Sequence, residues 1–103
     1  VSVTIKLTTP IEGPDGPISE VVMREPKFAE VMLLGEPVAF ARSDGGMVYQ
    51  ADNDDVIRGY IERLVEKPAD RALLNQCSLT DTLKLREAVF GFFRAARKAI
   101  SGD

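Results

Sequence analysis

The stretch "VVMREPKFAEV", residues 21–31, decides how the chain is read. A β-rich run, "ISEVVMR" at 18–24, meets a charged pair and a proline, and helical character follows. Pro26 suits the first position of a helix, where its missing N–H costs nothing. "PKFAEVMLL" then reads as a short helix ended by Gly35 in a C-cap position. Its apolar residues Phe28, Val31, Met32, Leu33 and Leu34 point nearly all round, which predicts a well-buried helix. Glu25 sits favourably near the positive end of that helix. Arg24 closes the strand with a charge suited to local pairing or to discouraging edge pairing.

Upstream, "VSVTIKLTT" at 1–9 alternates, with Val1, Val3, Ile5 and Leu7 on one face and Ser2, Thr4, Lys6 and Thr8 on the other. That period of two marks a half-buried strand. "PIEGPDGP" at 10–17 is dense in proline and glycine and reads as a long loop. Residues 1–25 thus predict an antiparallel hairpin, marginal by itself, whose apolar face must rest on helices or on another chain.

Downstream, residues 26–100 read as mainly helical. "EPVAFARSDGGMVYQADND" at 36–54 admits two readings. Asp44-Gly45-Gly46 suits the turn of a second hairpin, and the stretch equally suits a loose surface connection. "DDVIRGYIERLVEK" at 54–67 is an amphipathic helix, with Val56, Ile57, Tyr60, Ile61 and Leu64 on one face. Asp52 to Asp55 supply N-cap and first-turn acids. A short helix is expected over 69–76, then a long one over about 79–100, capped by Ser78 or Thr80. Ser78 with Asp81 has the spacing of a capping box. The fold class is therefore α+β: an N-terminal antiparallel β-hairpin on a small bundle of about four helices, in one domain over 1–103 with a frayed tail at 101–103.

The chain's 103 residues suffice for one core. Sixteen acids against thirteen bases give a net charge of −3, which argues against binding nucleic acid through clustered cations. No apolar run nears the roughly 20 residues of a membrane helix, no signal-peptide pattern is seen, and one cysteine suits a reducing compartment. A cytoplasmic location without membrane contact is expected.

Catalytic chemistry is scarce. The chain has no histidine, which removes the commonest general base and the commonest transition-metal ligand. Cys77 reads as a small structural thiol. "DNDD" at 52–55 alternates Asp52 with Asp54, yet an EF-hand's mid-loop glycine position is filled by hydrophobic side chains, so helix capping explains the acids. The glycine-rich "SDGG" and "GPDGP" lack the spacing of a phosphate loop. The expectation is a non-enzyme without cofactor or metal.

On the last helix, with residues about 100° apart, Phe92, Leu85, Ala96, Val89, Ile100, Phe93, Leu79, Phe90 and Leu83 sweep roughly 180°. One reading is a central helix packed on both flanks, with Arg86 and Arg97 snorkelling at the edge. The other gives half of the arc to the core and assigns Phe90, Phe93, Arg86 and Arg97 to a partner, since aromatics and arginine are enriched at interface hot spots. Self-association into a homo-oligomer is the nearest form of that interface.

The order of parts also resembles the tail assembly chaperones of Mu-like and related tailed phages. In that family a first strand leads into a Pro-Ile step, the second ends in Arg-Glu-Pro, and a C-terminal helix has a Leu/Asp start and a Phe pair. Here Pro10-Ile11, Arg24-Glu25-Pro26, Leu79, Asp81 and Phe92-Phe93 occupy those places, with Thr9 where lysine is common. The resemblance implies a non-enzymatic helper that binds the tape measure protein during tail assembly. The alternative is a structural tail or baseplate component of the virion.

Overall fold

The structure, a computed structural model, describes residues 2–102 and leaves out the side chains of 39–42 and 49. Val1, expected to open the first strand, and Asp103, expected in the frayed tail, lie outside the described residues. Two antiparallel strands, β1 (Ser2–Gly13) and β2 (Gly16–Arg24), form the expected N-terminal hairpin. The long loop expected over 10–17 is absent: both strands run through it, and Gly13 pairs Gly16 around a two-residue Pro14-Asp15 turn. Gly16, at φ 120°, occupies backbone space that L side chains rarely adopt. A Cβ at Gly13 would stand 2.6 Å from Ile18 Cδ1 and would have to displace that side chain.

Alternation sends Val21 and Met23 of β2 into the core, fully buried, with Ile5 and Val3 opposite them on β1. The ladder is interrupted between Lys6 and Ile11, where five residue steps of β1 face two of β2. Pro10 falls inside this bulge, where its missing N–H interrupts no ladder bond.

Helix α1 (Phe28–Leu34) begins two residues later than the Pro26 start expected, with Lys27 as its N-cap. The expectation that it is well buried fails. None of its seven described residues is buried, and Phe28, Met32 and Leu33 are 79, 65 and 65 % exposed. Only one side meets the body. Leu34 lies against Gly59, whose added Cβ would come within 3.0 Å of Leu34 Cδ2.

Residues 36–54 form a hairpin, β3 (Val38–Arg42) with β4 (Val48–Asp52), so one of the two open readings holds. Asn53 N–H donates to Pro37 O at 2.8 Å and closes its base. Helix α2 (Asp54–Leu64) buries Ile57, Tyr60 and Leu64 but stops three residues short of the expected end. Val65–Lys67 instead forms β5, a third strand beside β2, with Met23 opposite Val65. Val65 is fully buried there, so tertiary pairing overrides a helical pattern. A 3₁₀ helix follows at Arg71–Gln76, capped by Asp70, and then α3 (Leu79–Ile100). The 26–100 region is thus less helical than expected, since it contributes three strands as well as its helices.

The core joins all layers. Val21 and Met23 from β2, Tyr60 and Leu64 from α2, Val65 from β5, and Leu85 and Val89 from α3 form one buried cluster. At the tail, Ser101 N–H donates to Arg97 O and Gly102 N–H to Ala99 O, a turn that follows the last residue of α3.

Candidate functional site

Two junctions named by the sequence turn out to be built from hydrogen bonds. At the first, Arg24 Nη1 donates to Glu30 Oε1 at 2.9 Å and to Glu25 O at 3.2 Å. Lys27 N–H donates to the same Glu30 oxygen at 2.9 Å, which satisfies an orphan donor at the start of α1. The Arg24 hydrogen bond and the Lys27 N–H together hold the Glu30 carboxyl down at about 2. Arg24 therefore ties the end of β2 to the first turn of α1.

At the second, Ser78 caps α3: its Oγ accepts from Asp81 N–H at 3.2 Å. The Asp81 carboxylate is not turned back on the Ser78 backbone N–H, as a capping box would have it. Its carboxylate reaches across to the β1 bulge and accepts from Thr8 N–H (2.8 Å), Thr8 Oγ1 (3.0 Å) and Thr9 N–H (3.2 Å). Burial alone would raise its pKa, but these donors outweigh that cost and hold it below the ordinary carboxylate range. Two neighbours complete the cover of β1. Lys84 Nζ donates to Lys6 O at 2.9 Å, and the Gln76 amide makes a reciprocal pair with the Glu12 backbone at 2.9 and 3.0 Å.

The partner-binding residues expected on α3 are divided by the structure. Phe90, Phe93 and Arg97 share a cleft of about 510 Å³ between α3 and the β3–β4 hairpin, with Glu36, Pro37, Val38, Gln50, Asp52 and Arg94. Phe93 sits edge-on to Tyr60, ring centroids 5.4 Å apart, and packs against the core. Tyr60 in turn donates its hydroxyl to Gly35 O, which fixes the end of α1 beside the cleft. Phe90 is half-buried on the cleft floor.

Arg86 is not in the cleft. It donates to Asp54 at 3.0 Å and Asp52 at 3.4 Å and so clips the base of the hairpin to α3. It faces a second cleft, of about 450 Å³, floored by Ile57, Ile61, Leu74 and Leu85. Arg97 pairs with Glu36 and Arg94 with Glu87, so each arginine of the first cleft has its charge balanced within the chain. Sequence reasoning missed the hairpin wall, because its strands carry no helical periodicity to place them against α3.

Among the described residues no group of three or more His, Cys, Asp or Glu side chains is placed to hold a metal ion. Asp52 and Asp54 are engaged by Arg86, and Asp55 lies 3.6 Å from Arg58. Burial, and then Asp81, push the half-buried Cys77 thiol up, away from the reactive thiolate form. No described helix is long and apolar enough to cross a membrane. No family model, curated protein or solved structure compared with the chain matches it.

Proposed function

We propose that this protein is a non-enzymatic tail assembly chaperone of a phage or prophage, acting in the host cytoplasm by stoichiometric binding of the tape measure protein. The observation that carries the reading is the cleft beside α3. It is floored by Phe90 and Phe93 and rimmed by charges already balanced within the chain. Such a surface suits apolar side chains of a helical client, since burying a paired rim costs less than burying lone charges. A long client would engage several copies at once and gain avidity from them.

Support also comes from the residues on which the family resemblance rests. Asp81 bonds the β1 bulge at Thr8 and Thr9, just before Pro10-Ile11, and Arg24-Glu25-Pro26 forms the strand-to-helix junction. These positions shape the scaffold and leave the cleft to do the binding.

The test is co-expression with a tape measure fragment. The wild-type chain is expected to keep the fragment soluble and to co-purify with it, and Phe90→Ala to weaken that at least tenfold with the fold intact. Failure of the wild type to retain the fragment would reject the function. Normal retention by the Phe90 variant would move the binding surface elsewhere. Mass spectrometry of finished particles separates this role from that of a structural tail protein, which would be present in fixed copy number.

A further inference from the structure

A helix that is apolar all round belongs in an interior, yet α1 covers only one side of itself within the chain. At about 100° per residue, Leu34 and then Val31 face the body, and Phe28 and Met32 come next around the helix. Val31 borders a notch of about 100 Å³ between α1 and α3, lined by Glu25, Pro26, Phe92, Phe93 and Ala96. One turn beyond Ala96 on the same side of α3 stands Ile100, 83 % exposed. Apolar side chains therefore stand on α1, in the notch, which Glu25 also lines, and at the end of α3.

We infer that this surface pairs two copies of the chain about a two-fold axis, with the last turns of α3 antiparallel and crossing near Ala96. An isologous contact needs a projection and a recess side by side on one surface, and Ile100 and the notch supply them. Centred on Ala96, the pairing sets Ile100 of each copy against Phe92 and the notch of the other. The notch has room for about one aliphatic side chain. Ala96 at the crossing lets the two backbones approach closely.

The area also fits. Phe28, Met32 and Ile100, with partly covered Val31, Phe92 and exposed Ala96, present roughly 500 Å² of apolar surface, taking about 150–250 Å² for a whole large side chain. A standard interface takes about 800 Å² from each partner, roughly 60 % of it apolar, which calls for the same amount. The basic side chains nearest the crossing do not oppose it: Arg94 and Arg97 are already paired with Glu87 and Glu36. The client cleft opens toward the β3–β4 hairpin and shares only Phe93 with the notch, so substitutions at Ala96 and Ile100 test the pairing without touching the cleft's own lining.

Sedimentation equilibrium from micromolar to millimolar concentration tests it. The wild type is expected to approach twice the monomer mass of 11.3 kDa. Ile100→Asp and Ala96→Arg are expected to remain at 11.3 kDa with unchanged far-UV circular dichroism, since both positions are exposed. Leu79→Asp, at an exposed apolar position on the far end of α3, is expected to dimerise as the wild type does. A wild type that stays monomeric throughout overturns the inference, as does a dimer that survives both α3 variants. A monomeric wild type whose Ile100→Asp variant loses the tape measure fragment would assign the patch to the client, again overturning it.

Discussion

The Asp81 carboxylate accepts the Thr8 backbone N–H at 2.8 Å across 73 residues of sequence, and Thr9 N–H and the Thr8 hydroxyl with it. One buried side chain thereby satisfies the main chain of the β1 bulge while it sits in the first turn of α3. Asp81→Asn keeps the shape but offers one acceptor oxygen and presents an NH₂ group to donors. It is expected to lower the melting temperature by roughly 10 °C, because buried N–H groups lose their partner. Far-UV circular dichroism melts at neutral pH check this.

The same carboxylate sets a pH dependence. Its pKa is depressed in the fold, so its contribution is complete above the unfolded value of about 3.9 and is lost as pH falls through the lower folded value. Glu30 acts in the same direction, with the window running from about 4.5 down to about 2. The wild type is therefore expected to lose stability steeply below about pH 4. Asp81→Asn should show a shallower loss and converge on the wild type at the acid end. Parallel melts from pH 7 to pH 2 would reveal the convergence.

Phe90 and Phe93 are expected to part company on truncation. Phe93→Ala removes the edge contact to Tyr60 and a core neighbour, a loss of about 3 kcal/mol. Phe90→Ala removes a half-buried side chain of the cleft floor and should cost about 1 kcal/mol. Urea denaturation of both variants measures the difference, and a Phe93 variant as stable as the Phe90 one would refute the division of roles.

Gly59 is where α1 meets α2. A Cβ there meets only the far end of Leu34, 3.0 Å away. Gly59→Ala gains about 1 kcal/mol of helix propensity, offset by a small shift of Leu34, so its net change should be slight. Gly59→Val pushes α1 off the body and should cost about 2 kcal/mol through overpacking. Denaturation midpoints of the two variants provide the check.

Cys77 should alkylate slowly. Its half-buried thiol is pushed up by burial and by Asp81, so its reaction with iodoacetamide at pH 7.5 is expected to lag a free cysteine by at least about tenfold. A rate equal to that of glutathione would show the thiol to be more open than its surroundings indicate.

The elements that could be read from sequence are those with local signals. Alternation marked β1 and β2, apolar periodicity marked α2 and α3, and Ser78 marked the start of α3. What escaped was set by distant partners. β5 is a strand because Met23 pairs Val65, not because of its own three residues. The bulge in β1 depends on a carboxylate seventy-odd residues away. α1 misled for the opposite reason: its all-round apolar character implied cover, which one chain supplies on one side only. At the site, Phe90, Phe93 and Arg97 were legible as a cluster on α3, while the hairpin facing them was not. Arg86 shared their helix arc and yet serves as a clip for Asp52 and Asp54.

The hairpin is made first and finished last. Its outer edge is covered by Gln76, Asp81 and Lys84, and its apolar face by Leu85 and Val89. On the ribosome, β1 and β2 emerge long before any of these residues exist, and contacts of such separation form slowly. The nascent strands therefore wait as an unsealed ribbon, and the decisive folding event follows translation of α3. Truncated products of this message, ending before residue 76, would carry that open ribbon permanently and should be cleared or aggregate.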